Sequence, residues 1–96
     1  MLEIKILDDH TIYLKGRFDA AQAEHARTVF DKIGQSCHID CQRLEYISSV
    51  GLGILLKTQK RLTMQGHALK LTNLNKHIFD VFRYAGFDTI FEITEA

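Results

Sequence analysis

The chain contains no proline. Without it no prolyl kink is available, so the punctuation between elements falls to six glycines and to capping side chains. Net charge is absent too, because twelve lysines and arginines balance twelve aspartates and glutamates. That balance removes the electrostatic ground for capture of nucleic acid or of an anionic membrane. Long apolar runs are also missing, and none approaches the ~20 residues that span a bilayer. The opening Met1-Leu2-Glu3-Ile4-Lys5-Ile6 alternates in polarity instead of building the apolar centre of a signal peptide. Together these absences predict a cytoplasmic protein with no nucleic-acid partner and no membrane insertion.

Cysteine is scarce. Cys37 and Cys41 fall on one predicted strand, Cys37-His38-Ile39-Asp40-Cys41. Four residues of strand span ~13 Å, whereas disulfide-linked Cα atoms lie within ~7 Å. Two small buried thiols in a reducing compartment are expected. The five histidines, at positions 10, 25, 38, 67 and 77, show no paired zinc spacing. No metal site and no cofactor is expected.

What is present suits one small α/β layer domain over residues 1–96, with no repeat, linker or low-complexity tract. Leu2 to Leu7 and Thr11 to Phe18 read as strands joined by a turn at Asp8-Asp9-His10, which favours an antiparallel hairpin. Asp19 with Gln22 three residues on reads as a capping box for a helix carrying Ala23, Ala26, Phe30 and Ile33 and stopping near Gly34. A third strand, about Ser36 to Leu44, alternates less cleanly. A second helix begins near Ser49, presents Leu52, Leu55, Leu56 and Leu62 on one side, and ends at Gly66. Ala68 to Thr72 is a fourth strand. Asn73 or Asn75 caps a third helix aligning Ile78, Phe82 and Ala85, closed by Gly86. Thr89 to Ile93 ends the order ββαβαβαβ. Helices between successive strands imply right-handed crossovers and a mixed, mainly parallel sheet of about five strands with helices packed against it. Phe79, Tyr84 and Phe87 are open to two readings, core or exposed apolar patch.

The densest cluster of signals is Tyr46-Ile47-Ser48-Ser49-Val50-Gly51-Leu52-Gly53. It lacks the third glycine of a dinucleotide loop, since Leu56 stands there, and no Walker lysine follows. Ile47 stands where a nucleophile elbow needs glycine, and nothing in the spacing brings His38 or His77 to Ser49. The glycines then serve a tight strand-to-helix turn. Ser49 at or near the N-cap is either a plain cap or a site for phosphate, whose charge of about −1.5 to −2 a helix N-terminus tolerates. A partner packed over Ile47, Val50 and Leu52 would have to bury that charge.

The run from Tyr46 to Leu56 resembles the signature of STAS domains, and more narrowly that of bacterial anti-sigma-factor antagonists. Gly16-Arg17-Phe18-Asp19, His38-Ile39-Asp40, Asn73-Leu74-Asn75 with Val81-Phe82, and Ala85-Gly86-Phe87 extend the likeness over nearly the whole chain. The resemblance implies a non-enzymatic, phosphorylation-switched protein-binding module of transcription regulation. Unphosphorylated, such a protein binds an anti-sigma factor that is also a serine kinase; a serine phosphatase reverses the modification. Carried over, Ser49 is the phosphoacceptor, with Ser48 as the alternative, and Asp19, Ser48, Val50, Gly51, Leu52 and Gly53 surround it. The chain departs from the best-known members at Ser48, where they carry aspartate. That departure keeps a second reading alive: a constitutive STAS interaction subunit, for instance of a lipid-transport complex.

Overall fold

A computed structural model describes residues 1–8 and 10–96. Asp9, in the middle of the expected first turn, lies outside the described residues. Around it, β1 (Leu2–Asp8) and β2 (Thr11–Phe18) pair antiparallel. The chain continues through α1 (Ala23–Phe30), β3 (Cys37–Ile47), α2 (Ser49–Thr63), β4 (Leu69–Leu74), α3 (Lys76–Tyr84) and β5 (Glu92–Glu95). Strand order in the single five-stranded sheet is β1-β2-β3-β4-β5, with every pair after the first parallel.

Because each crossover steps to the next strand in the same direction, the usual right-handed connection places all three helices on one face. The alternation of burial agrees. Ile12, Leu14 and Phe18 of β2, and Ile39 and Leu44 of β3, are sealed beneath the helices. Lys15, Arg17, His38 and Gln42 point to the uncovered face and are exposed. Phe18 stacks on Phe30 of α1 with ring centroids 6.4 Å apart. Phe82, Phe87 and Phe91 form a second ring cluster under α3. Phe79 and Phe87 therefore belong to the core margin, whereas Tyr84 is 81% exposed and lies near Arg83.

Several boundaries differ from the sequence expectation, each for a local reason. β3 runs on to Ile47, and two bulges against β2 insert extra residues between Asp40 and Arg43 and between Leu44 and Tyr46. Those insertions break the two-residue alternation. The capping box at Asp19 does not form. The chain instead makes one 3-10 turn over Ala20–Gln22, closed by the Gln22 N–H donating to the Asp19 carbonyl at 3.1 Å. α1 ends at Phe30, short of Ile33, and Arg61 of α2 donates to the carbonyls of Phe30 (3.0 Å) and Ile33 (2.7 Å). That guanidinium satisfies the open end of α1 and ties it to α2.

Asn75, not Asn73, caps α3, its Oδ1 accepting from the Ile78 N–H at 2.9 Å. Asn73 sits at φ 60° inside β4, and its Nδ2 donates to Asp40 Oδ1 at 3.2 Å. The expected last strand starts later because Phe87–Thr89 form a 3-10 turn.

Cys37 and Cys41 are free and buried on the helix-covered face of β3. Burial, with Asp8 as a second cause, pushes the Cys37 thiol up to about 11. Burial, with Asp40 second, pushes Cys41 up to about 12. Among the described residues no helix is long and apolar enough to cross a membrane.

Candidate functional site

The region singled out in the sequence assembles where β2 and β3 end side by side. Parallel pairing sets Arg17 opposite Tyr46 and Phe18 opposite Ile47, and the Ser48 N–H donates to the Phe18 carbonyl at 2.9 Å. Asp19 and Ser48 thus leave adjacent strand ends together. The Arg17 guanidinium lies 4.3 Å from the centroid of the Tyr46 ring, closing the exposed side of this corner.

A single extended residue, Ser48 (φ −85°, ψ 171°), joins β3 to α2. Its Oγ accepts a hydrogen bond from the Gly51 N–H at 3.2 Å, and its carbonyl accepts the first helical bond, from Leu52 at 2.9 Å. Ser48 is therefore the N-cap. Ser49, expected at or near that position, is the first helical residue, immediately after the cap. It is exposed and makes no hydrogen bond with its side chain among the described residues. The two hydroxyls divide into one spent on the fold and one left to solvent.

The glycines divide in the same way. A Cβ on Gly51 would stand 2.8 Å from Ile47 Cγ1 and 3.1 Å from the Phe18 ring, so only glycine lets the first turn of α2 rest on the strand ends. A Cβ on Gly53 would meet no atom within 4 Å, and the position is exposed. The expectation that both glycines serve the turn is corrected: Gly51 serves close packing, and Gly53 leaves a flat patch one turn beyond Ser49.

Val50 and Leu52 are half-buried against the core edge, and Leu56 is likewise half-buried. The core face of α2 is Gly51, Ile54, Leu55, Thr58, Gln59 and Leu62. Leu52 and Leu56, expected on that side, lie at its rim. Thr58 and Gln59 take the buried places because their polar groups are satisfied. Thr58 Oγ1 donates to the Ile54 carbonyl, and Gln59 bridges the Leu69 N–H (2.7 Å) and the Ile90 carbonyl (3.0 Å). Ser49, Leu52, Gly53 and Leu56 thus form one partly apolar stripe down the outside of α2. Beside it a shallow groove of about 330 Å³ separates α2 from α1, lined by Val50, Gly53, Arg27 and Lys57 among others.

Asp19 adds an unusual feature. Its Oδ1 is buried and has no hydrogen-bond partner among the described residues, and its side chain caps nothing. A carboxylate oxygen is held at the strand-end corner without being consumed by the fold. The buried pair Thr58 and Gln59 was not singled out in the sequence; their spacing from Gly51 and Leu55 was the available signal.

Other arrangements that the sequence raised do not assemble. His38 lies at the start of β3, next to Cys37, and Ser49 follows the strand's end, roughly 30 Å away at the strand rise. A cavity of about 700 Å³ opens at that opposite end of the sheet between residues including His10, Cys37, Gln59 and Lys70. It contains none of the residues around Ser49.

Comparison with known proteins adds to this geometry. The family model described as Mlab, STAS domain matches residues 6–94. The chain belongs to the STAS domain family. Its relatives include BtrV of Bordetella bronchiseptica, a putative anti-sigma factor antagonist, 33% identical over 87 residues, which cover 86% of this chain and 75% of that protein. The anti-sigma-B factor antagonist of Listeria monocytogenes is 32% identical over 98 residues, covering 96% of this chain and 86% of its own. Among solved structures, an anti-sigma factor antagonist from Mycobacterium paratuberculosis superposes with a TM-score of 0.83 at 18% identity, over 100% of this chain and 86% of that one. The phosphorylated form of the Bacillus cell fate determinant SpoIIAA gives 0.70 at 17% identity, over 97% and 90%. The fold is the one these proteins share.

Proposed function

We propose that this chain is a cytoplasmic anti-sigma-factor antagonist that acts by binding, without turnover. In this reading it holds an anti-sigma factor with serine-kinase activity while Ser49 is unphosphorylated. It releases that partner once Ser49 carries phosphate, and a serine phosphatase resets it. The observation that carries the proposal is the division of labour at the start of α2: Ser48 caps the helix, and the Ser49 hydroxyl is exposed at its first position.

The physical consequence of modification differs between the free and bound states. In the free protein the phosphate stands in water beside unpaired helix N–H groups, where negative charge is favourable. In a complex that covers Val50, Leu52 and Leu56 the same charge would be desolvated. That costs on the order of several kcal/mol unless the partner supplies a cation. Such a modification releases the partner and leaves the fold intact.

Incubation with the cognate kinase and ATP, followed by mass-spectrometric mapping, tests the proposal. Phosphate is expected on Ser49, and a folded Ser49→Asp protein is expected not to bind the kinase. Phosphate found elsewhere, or normal binding by Ser49→Asp, overturns it.

A second reading has specific support in Ser48, which stands where the best-known antagonists carry aspartate. It makes the chain a constitutive subunit of an assembly such as a lipid-transport complex. Recovery of a transporter from the native cell, unaffected by phosphatase treatment, would favour it over the switch.

A further inference from the structure

β1 is an edge strand, and its free side is unusually well specified. Among the described residues the strand pairs only with β2, and no other strand of the sheet lies on its outer side. Ile6 is 68% exposed and Leu7 58%. Proteins usually blunt such an edge with proline, a bulge or inward charges. Here proline is absent, and the register shift comes only after Ile6.

The hydrogen-bond parity of β1 follows from one contact. The Arg17 N–H donates to the Met1 carbonyl at 2.9 Å. The register continues with Leu2 opposite Gly16, Glu3 opposite Lys15 and Ile4 opposite Leu14. In an antiparallel ladder bonded and non-bonded pairs alternate. Met1, Glu3 and Lys5 therefore bond β2, and Leu2, Ile4 and Ile6 turn their N–H and C=O groups toward the free edge.

We infer that this edge pairs antiparallel with β1 of a second copy of the chain, about a two-fold axis at Ile4. Only registers that set even-numbered residues opposite one another make edge hydrogen bonds. Of these, centring on Glu3 opposes two glutamates, and centring on Lys5 opposes two lysines. Moving the axis to Ile6 leaves Leu2 and Glu3 without partners in the opposite β1. Centring on Ile4 puts Glu3 against Lys5 of the other copy, twice, at the close non-bonded positions where cross-strand charges interact best. On the helix-facing side it sets Ile4 on Ile4 and Leu2 on Ile6. The exposed Ile6 is covered, and a groove lined by Ile6, Val29 and Ile33 already opens there. Glu3 and Lys5 pair with each other within the monomer at 3.1 Å, and the dimer exchanges that exposed contact for two between chains. The result is a ten-stranded sheet spanning two copies. With one short strand per copy, the contact is weak and reversible.

Sedimentation equilibrium of the whole chain tests this. Wild type is expected to show a monomer–dimer equilibrium, and each of Glu3→Lys and Lys5→Glu alone is expected to weaken it roughly tenfold or more, because like charges then meet twice. Mixing the two variants should restore association as a heterodimer, since lysines 3 and 5 of one chain then face glutamates 3 and 5 of the other. Ile4→Pro gives an independent reading, since it deletes an N–H aimed at the free edge and none bonded to β2. A proline variant that keeps the wild-type circular dichroism spectrum should be monomeric. A wild type monomeric up to about 1 mM, or a dimer indifferent to all three variants, overturns the inference. So does a mixture of the charge variants that stays monomeric although both are folded.

Discussion

Ser48 Oγ lies 3.2 Å from the Gly51 backbone nitrogen, and that bond assigns the capping duty at the start of α2 to Ser48 alone. Two neighbouring serines that look interchangeable in the sequence are thereby separated by function. The separation is open to measurement.

Ser48→Ala removes an N-cap and is expected to destabilise the fold by about 1 kcal/mol. Ser49→Ala removes no hydrogen bond and is expected to change stability by less than about 0.5 kcal/mol. Urea unfolding followed by circular dichroism measures both. A larger loss in Ser49→Ala than in Ser48→Ala would reverse the assignment of roles.

The two glycines should respond in opposite directions. Gly51→Ala forces Ile47 and Phe18 apart, because the added methyl stands 2.8 Å from one and 3.1 Å from the other. A destabilisation of about 1–3 kcal/mol is expected. Gly53→Ala meets open space at a helical position and should stabilise by about 0.5–1 kcal/mol. Thermal melts of the two variants suffice to check the sign.

Arg61→Met keeps the aliphatic stem and deletes both bonds to the end of α1. The expected loss is about 1–3 kcal/mol. Hydrogen exchange should then speed up most around the end of α1, since the Ile33 carbonyl loses the Arg61 bond and the Phe30 carbonyl keeps only the Ile33 N–H. Uniform acceleration across the sheet would contradict the capping role.

The thiols give a pH dependence with a definite sign. In the unfolded chain both ionise near their ordinary value, about 8.5. In the folded protein they keep their protons up to about 11 for Cys37 and about 12 for Cys41. Across that window the folded state binds more protons than the unfolded one, so stability is greatest below about pH 8.5 and falls as pH rises toward the folded values. Replacing both cysteines by alanine should flatten this decline in unfolding measured from pH 8 to 11. An unchanged decline would remove the thiols as its cause. At neutral pH both should react slowly with iodoacetamide in the native state, with Cys41 limited by unfolding.

Much of this fold is legible in the sequence because a sheet covered on one face gives strands a two-residue rhythm. β1 and β2 show it, and their expected spans match to within a residue. β3 hides its length because two bulges shift the rhythm midway, a feature set by pairing with β2 rather than by local composition. Thr58 and Gln59 are hidden by their own polarity, because the partners that make their burial tolerable lie at Ile54, Leu69 and Ile90. At the candidate site, the run from Ser48 to Gly53 is visible in the sequence, but the roles within it are not. Which serine caps and which glycine is crowded each turn on a one-residue placement of the helix start. That placement depends on the Ser48 bond to Phe18 across the sheet, far earlier in the chain.

The coincidence of strand order with chain order has a consequence for how the protein is made. Each new helix–strand unit finds its docking edge already finished by the segment before it. Assembly can then proceed outward from the β1–β2 hairpin as the chain leaves the ribosome, with little waiting for distant partners. Growth of this kind runs in one direction only. Of the five strands, the first in this order therefore stays on the rim of the sheet, and none of the four that follow comes round to lie on its outer side.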